Sequence, residues 1–341
     1  MKRMIVYYTV QERKERRPAM RKLVALLLSL FLLFGCQTRS KQLARTDYLL
    51  DTVVTLTLYG AGEEDLDAAF GEIRRLSGLL DAYSSDSDLG RLQANAGKEP
   101  VAVSPETMEL LIFAKDMYER TGGYLNVTVG PLIDLWDVRN GGHYPAEDEL
   151  AAALCLLGMD DLILDEANGT AFLVRPGMRL DLGALAKGYI ADRVKALLLE
   201  RGVTSGVIDL GRNILLVGEK PGKAPFSIGI QSPETSGELL RVLALRDKSL
   251  VTSGTYERYF DHEGKQYHHV LDPFTGFPAD RDLLAVTILS DSSLWGDALS
   301  TACLLLGVDD GLKLIDSIPE AEALFVLTDG SVITSSGFPE K

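Results

Sequence analysis

The sequence predicts an α+β fold: one large domain with antiparallel-rich sheets and packed helices. Three observations lead there. Strand and helix signals are mixed, without the steady strand–helix–strand rhythm of a doubly wound sheet. In the second half, short strand signals follow one another at hairpin spacing. Apolar residues make up 46% of the 341, enough for a sizeable core and too many for a disordered chain. There is no internal repeat and no clear linker beyond the N-terminal segment, so a single domain over residues 47–341 is expected.

Residues 1–35 stand apart. Leu23–Gly35 is an uninterrupted apolar run, short for a membrane span, preceded by Arg21 and Lys22. Its ending, LFGC at Leu33–Cys36, resembles a bacterial lipobox, with Phe34 bulkier than usual at its position. The expectation is a lipoprotein signal over residues 1–35, lipid on Cys36, and a polar tether over residues 36–46. The domain would then be exported and anchored to the outer face of the cell membrane through its N-terminal lipid. An ordinary signal peptide or a buried helix is the alternative. Met20 directly precedes Arg21, so a start there would yield the same leader.

Within the domain, Thr52–Tyr59 alternates Val54, Leu56 and Leu58 with Thr55, Thr57 and Tyr59, as a half-buried strand does. Glu63–Tyr83 places Leu66, Phe70, Ile73, Leu76 and Leu80 at helical spacing. Ser104-Pro105-Glu106 is a helix start, with a capping hydroxyl, Pro in the first turn and an acid at the positive dipole end; the helix should reach Arg120 and stop at Gly122-Gly123. A further helix is expected over Leu185–Arg201, ended by Gly202. Strands follow at Gly206–Asp209, Ile214–Val217, Ser227–Gln231, Arg241–Leu245 and Leu284–Leu289. Ser292–Leu306 reads as a helix ended by Gly307, and Phe325–Leu327 with Ser331–Thr334 as a hairpin around Asp329-Gly330.

Residues 1–35 carry eight of the 35 Lys and Arg and two of the 49 Asp and Glu. The remainder therefore has 27 basic and 47 acidic residues, a net charge of −20. Such a surface repels phosphate backbones and argues against a nucleic-acid partner. A phosphorylated ligand would need a cation or a well-placed Lys. Besides Cys36, Cys155 and Cys303 lie in apolar surroundings and read as small buried residues, or else as a disulfide. No Cys/His spacing suggests zinc.

Four segments could carry chemistry. In GDALST (Gly296–Thr301), Asp297 and Thr301 are four apart and share a helix face, a pairing that suits a hard, oxygen-loving cation such as Mg²⁺. They could equally be a solvated acid and a Thr bonded to its own helix. In DLGALAKG (Asp181–Gly188), glycines allow close approach at a helix start that offers free N–H groups to an anion, and Lys187 adds local positive charge. The plain alternative is a helix cap with a surface Lys. The loop Thr121–Pro131 could cradle an aromatic ring or merely connect. The segment YHHVLDPFTGFP (Tyr267–Pro278) must be mostly a shaped loop. One of His268 and His269 could serve as a general base, the other pointing elsewhere.

In order along the chain, LDTVVTLTLYG, DSDLGRLQAN, GALAKG, HHVLDPFTGFP and GDALST resemble the ApbE family of FAD:protein FMN transferases, over roughly Tyr48–Leu327. The resemblance implies a single ApbE-like domain that binds FAD and Mg²⁺. It implies transfer of the FMN half of FAD to a Thr or Ser hydroxyl of a target protein, with release of AMP. Targets of the family include flavin-accepting subunits of membrane redox complexes. The cation ligands would be Asp297, Thr301 and the carbonyl of Ala184. FAD would meet Asp181, Lys187, Tyr83, the stretch Tyr124-Leu125-Asn126, and the backbone near Leu50 and Leu271. His269 would be the base. Three positions depart from the family's frequent pattern: Asn126 where Asp is common, Arg212 within a usual Gly-Gly-Asn, and Asp51 where Gly is common. Rival expectations are an FAD pyrophosphatase using water as acceptor, and a flavin-binding lipoprotein without chemistry.

Overall fold

The computed structural model describes residues 41–235 and 237–340; the leader and Cys36 lie outside them. The chain opens with an antiparallel hairpin, β1 (Gln42–Leu49) and β2 (Thr52–Tyr59). The folded domain thus begins before residue 47, and residues 42–46, expected in the tether, belong to a strand. Their polar composition is that of an edge strand, which buries only one face and carries charge as edges do. Leu50 and Asp51 turn the hairpin, both at φ 55, as a two-residue turn of this hand requires.

Next come α1 (Glu63–Leu79), α2 (Asp88–Ala94), β3 (Val101–Ala102), α3 (Pro105–Arg120), α4 (Gly130–Trp136) and α5 (Glu147–Leu154). The first helix stops four residues short of Tyr83. Asp81 folds back to accept the Tyr83 N–H at 2.8 Å, a local turn that competes with the helix. The capped start at Ser104 is as expected, its hydroxyl accepting from Thr107 N at 3.2 Å. Then follow β4 (Leu162–Asp165), β5 (Thr170–Leu173), α6 (Ala186–Glu200), β6 (Ser205–Asp209), β7 (Asn213–Gly218), β8 (Phe226–Gln231) and β9 (Leu239–Leu245). The last elements are β10 (Ser249–Gly254), β11 (Tyr259–His262), β12 (Lys265–His268), β13 (Leu283–Ser290), α7 (Ser293–Leu306), α8 (Val308–Asp316), β14 (Glu322–Leu327) and β15 (Val332–Thr334).

An eight-stranded antiparallel sheet ordered β1-β2-β6-β7-β10-β13-β14-β15 is the backbone of the domain. Its central strands are buried on both faces. Along β14, Ala323 and Phe325 join the main core beneath the helices, while Leu324 and Val326 face a second core with Phe226, Ile228 and Leu243 of the β8–β9 hairpin. Helices α1, α6, α7 and α8 cover the first face. A third cluster, Leu132, Trp136, Ala153 and Leu271, packs beneath the aromatic residues of the β11–β12 hairpin. Cys303 is buried but Cys155 is exposed, and both are free thiols. Cys155 caps the end of short α5, which has a single buried residue, so its apolar neighbours do not cover it. No helix among the described residues is long and apolar enough to cross a membrane.

Candidate active site

Two helices cap each other at the centre of the site. On α7, Asp297 is 2% exposed, and its Oδ2 accepts the backbone N–H of Gly188, in the first turn of α6, at 2.9 Å. On α6, Asp192 accepts the N–H groups of Ser293 and Leu294, both at 2.9 Å, and the Ser292 hydroxyl at 2.7 Å, so it caps α7. Burial holds the Asp192 carboxyl above its ordinary range despite these three donors. The exchange requires close contact: a Cβ on Gly188 would lie 2.3 Å from Ser293 O and 2.7 Å from Leu294 Cα.

Around Asp297 the groups are polar and sparsely paired. Lys187 Nζ lies 3.4 Å from Asp297 Oδ1 and 3.2 Å from Gly183 O. Asp181 shapes the approach to α6, accepting Gly183 N at 2.8 Å. One helical turn beyond Asp297, Thr301 Oγ1 has, among the described residues, only a long contact, 3.4 Å to Ser253 Oγ. Because Gly188 N is given to Asp297, nothing among the described residues donates to the Ala184 carbonyl. No group of three or more His, Cys, Asp or Glu side chains gathers among the described residues. The trio expected from the sequence is one carboxylate and two neutral oxygens, a different kind of donor set.

The two histidines are anchored separately. His268 Nε2 donates to Ala279 O at 3.0 Å. His269 Nδ1 lies 3.2 Å from Arg258 O; a carbonyl only accepts, so Nδ1 carries the hydrogen and Nε2 is the free base. Burial, reinforced by the charges of Arg258, His268 and Lys187, pushes His269 down to about 4. The following turn is held by Asp272, which accepts Phe274 N at 2.8 Å and Arg281 at 3.0 Å, while Trp136 Nε1 donates to Gly276 O at 2.7 Å. Asp272 and the Thr-Gly pair therefore shape the loop.

Most of the remaining expected residues lie on turns and loops. Tyr83 has two guanidiniums over its ring, Arg139 at 5.7 Å and Arg179 at 5.6 Å from the ring centre. Burial, then the Asp181 and Asp134 carboxylates, raise its hydroxyl. Arg139 also pairs with Asp51 at 3.0 Å, joining Tyr83 to the turn at Leu50. Tyr124 meets Phe274 edge-on at 4.9 Å and its hydroxyl receives Arg281 at 3.3 Å. Asn126 uses its Oδ1 to cap the turn at Thr128, at 2.8 Å to N. The Leu125 and Leu271 side chains are buried in the cores, leaving only their backbones for a ligand. Asp192, Arg139, Arg179, Arg258 and Ser253 escape sequence reasoning. Of these only Asp192 carries a local signal, its i+4 spacing from Gly188 on one helix face.

An α+β enzyme with a helix start, a buried carboxylate and a neutral histidine is the class that fold and site define. Within that class, the chain belongs to the ApbE family, whose profile matches residues 50–325. An FAD:protein FMN transferase of Klebsiella pneumoniae (strain 342) is 37% identical over 290 residues, covering 84% of this chain and 90% of its own. One of Treponema pallidum (strain Nichols) is 34% identical over 327 residues, covering 90% of each. The crystal structure of the ApbE protein from Thermotoga maritima superposes with a TM-score of 0.81 at 29% identity, covering 87% of this chain and 98% of its own. The flavin transferase ApbE from Vibrio cholerae gives 0.78 at 25% identity, covering 88% and 98%. The family and the fold class expected from the sequence are thus both found.

Proposed function

We propose that the chain transfers the FMN half of FAD to a Ser or Thr hydroxyl of an acceptor protein and releases AMP. The observation that carries this is the convergence on Asp297: a buried carboxylate, the α6 start and Lys187 share one place. The transferase names of the relatives support the same activity.

FAD brings a dianionic pyrophosphate to a domain of strongly negative charge, so its recognition has to be local. Lys187 and the first turn of α6 supply positive potential. The donor set fits a hard cation that keeps water and substrate oxygens in its shell. Asp297, Thr301 and the Ala184 carbonyl would hold Mg²⁺, which would neutralise the pyrophosphate and the charge building on departing AMP. His269 Nε2 takes the proton from the acceptor hydroxyl. That oxygen forms a bond to the FMN phosphorus while the bond from phosphorus to the AMP oxygen breaks. In-line alignment then sets the rate. Tyr83, Tyr124 and the Leu50 turn form the rim against which the flavin and adenine rings rest.

The proposal extends to location. With Cys36 lipidated, the domain stands on the outer face of the membrane and meets flavin-accepting subunits of membrane redox complexes or other exported flavoproteins. Cys36→Ser should move the protein from the membrane to the soluble fraction; retention in the membrane would refute the anchor. For the activity, the chain is incubated with FAD, Mg²⁺ and a flavin-accepting subunit, and covalent flavin fluorescence is read in a denaturing gel. Labelled acceptor with AMP supports transfer. AMP without label means hydrolysis of FAD instead, and neither product overturns the enzyme.

A further inference from the structure

We propose that Arg212 is a positioning residue for His269, acting through the segment that links β10 to β11. This role presupposes His269 as the base of the transfer.

Gly211 and Arg212 turn the chain between β6 and β7 with φ of 72 and 66, both left-handed. Gly211 has no alternative, because a Cβ there would lie 2.1 Å from Thr52 Oγ1. Arg212 is a long side chain at a backbone position that favours glycine. Asp209 braces the turn, accepting Gly211 N at 3.0 Å, and Thr252 N donates to the Arg212 carbonyl at 3.1 Å.

The Arg212 side chain reaches across to the neighbouring connection. Its Nη1 donates to Tyr256 Oη at 2.6 Å and to Glu257 Oε1 at 2.9 Å, and the guanidinium lies 5.0 Å from the Tyr256 ring centre. These residues belong to no strand, and among the described residues no other side chain hydrogen-bonds to the Tyr256 or Glu257 side chains. The next residue is Arg258, whose carbonyl receives both the backbone N–H of His269 at 3.1 Å and its Nδ1 at 3.2 Å. That one oxygen selects the tautomer that leaves Nε2 free, and it aims the ring. Arg212 therefore anchors the two residues that precede the oxygen on which the base depends. A second partner of a base, holding its non-reacting nitrogen, sets orientation without touching substrate.

The test uses the full chain with FAD, Mg²⁺ and a flavin-accepting subunit. Arg212→Gly removes the side chain where the backbone already suits glycine, so the fold is retained. It should lower kcat about ten-fold through misplacement of the base, with KM for FAD within about two-fold. In the same variant, ¹⁵N resonances of the His269 ring should shift from a single tautomer towards a mixture, and Arg212→Lys should restore part of both. Tyr256→Phe, which keeps the ring and removes the acceptor hydroxyl, should move kcat in the same direction. An unchanged kcat with unchanged ring resonances overturns the inference. So does a raised KM with kcat retained, which would make Arg212 a ligand contact. His269→Ala separates the two layers. Full transfer in that variant removes the base itself, whereas lost transfer beside an unaffected Arg212→Gly removes only the role of Arg212.

Discussion

Asp297 on α7 accepts the backbone N–H of Gly188 on α6 at 2.9 Å, across 109 residues of sequence, while its other oxygen faces Lys187 at 3.4 Å. One carboxylate thus caps a helix start and faces an ammonium. Asp297→Ala should reduce transfer by at least about 10²-fold, the scale of a lost electrostatic group at a reacting centre. It should also lower stability by about 1–3 kcal/mol, since the Gly188 N–H is left buried without a partner. Asp297→Asn keeps an acceptor for that N–H but loses the charge. Stability should therefore largely return in thermal melts while transfer stays low. An active Asn variant would refute the cation assignment.

Gly188 is the other half of that contact. A methyl group there meets backbone atoms, not a movable side-chain end. Gly188→Ala should destabilise the domain by about 1–3 kcal/mol through overpacking, read as a lower urea midpoint at unchanged slope. A gain in stability, as expected for Gly→Ala in an uncrowded helix, would show that the two helix ends are less tightly joined.

These two residues mark the boundary of what the sequence discloses. The helix at Pro105–Arg120 and the stop at Gly307 are legible because caps and breakers are local chemistry. Asp297 and Thr301 are legible as a pair, since helical spacing places them on one face. What Asp297 touches is not, because Gly188 is brought to it by tertiary packing. The same holds for Arg258, whose carbonyl could be any carbonyl until the β11–β12 hairpin folds beside it. Strand β1 is hidden for a different reason. As a polar edge strand it has the composition of a tether.

Tyr83 has Arg139 and Arg179 over its ring and remains 54% exposed, so part of the ring is available to a planar ligand. Tyr83→Ala should raise KM for FAD several-fold, matching about 0.5–1.5 kcal/mol for a lost aromatic pair, with a smaller effect on kcat. Tyr83→Phe keeps the ring and should stay near the parent. Equal losses in both variants, measured by steady-state AMP release, would transfer the role from the ring to the hydroxyl.

His269 makes the pH dependence specific. Burial is the main reason its pKa falls from 6.5 to about 4, with the Arg258, His268 and Lys187 charges acting in the same direction and the bond to the Arg258 carbonyl opposing them. Its folded value lies below its unfolded one, so protons bind the unfolded chain more readily. The contribution of His269 to stability is fully present above about pH 6.5 and is lost as the pH falls towards 4. In the free enzyme the imidazole is already neutral at mildly acid pH, which places the acid limb of kcat/KM for FAD near pH 4. Because Mg²⁺ would neutralise the bound pyrophosphate, the acid limb of kcat should lie near the same pH. A limb near pH 4 in the parent, absent in a slow residual His269→Ala enzyme, is the expected profile. A limb that stays in place in His269→Ala would mean that another group titrates, and the base would have to be sought there.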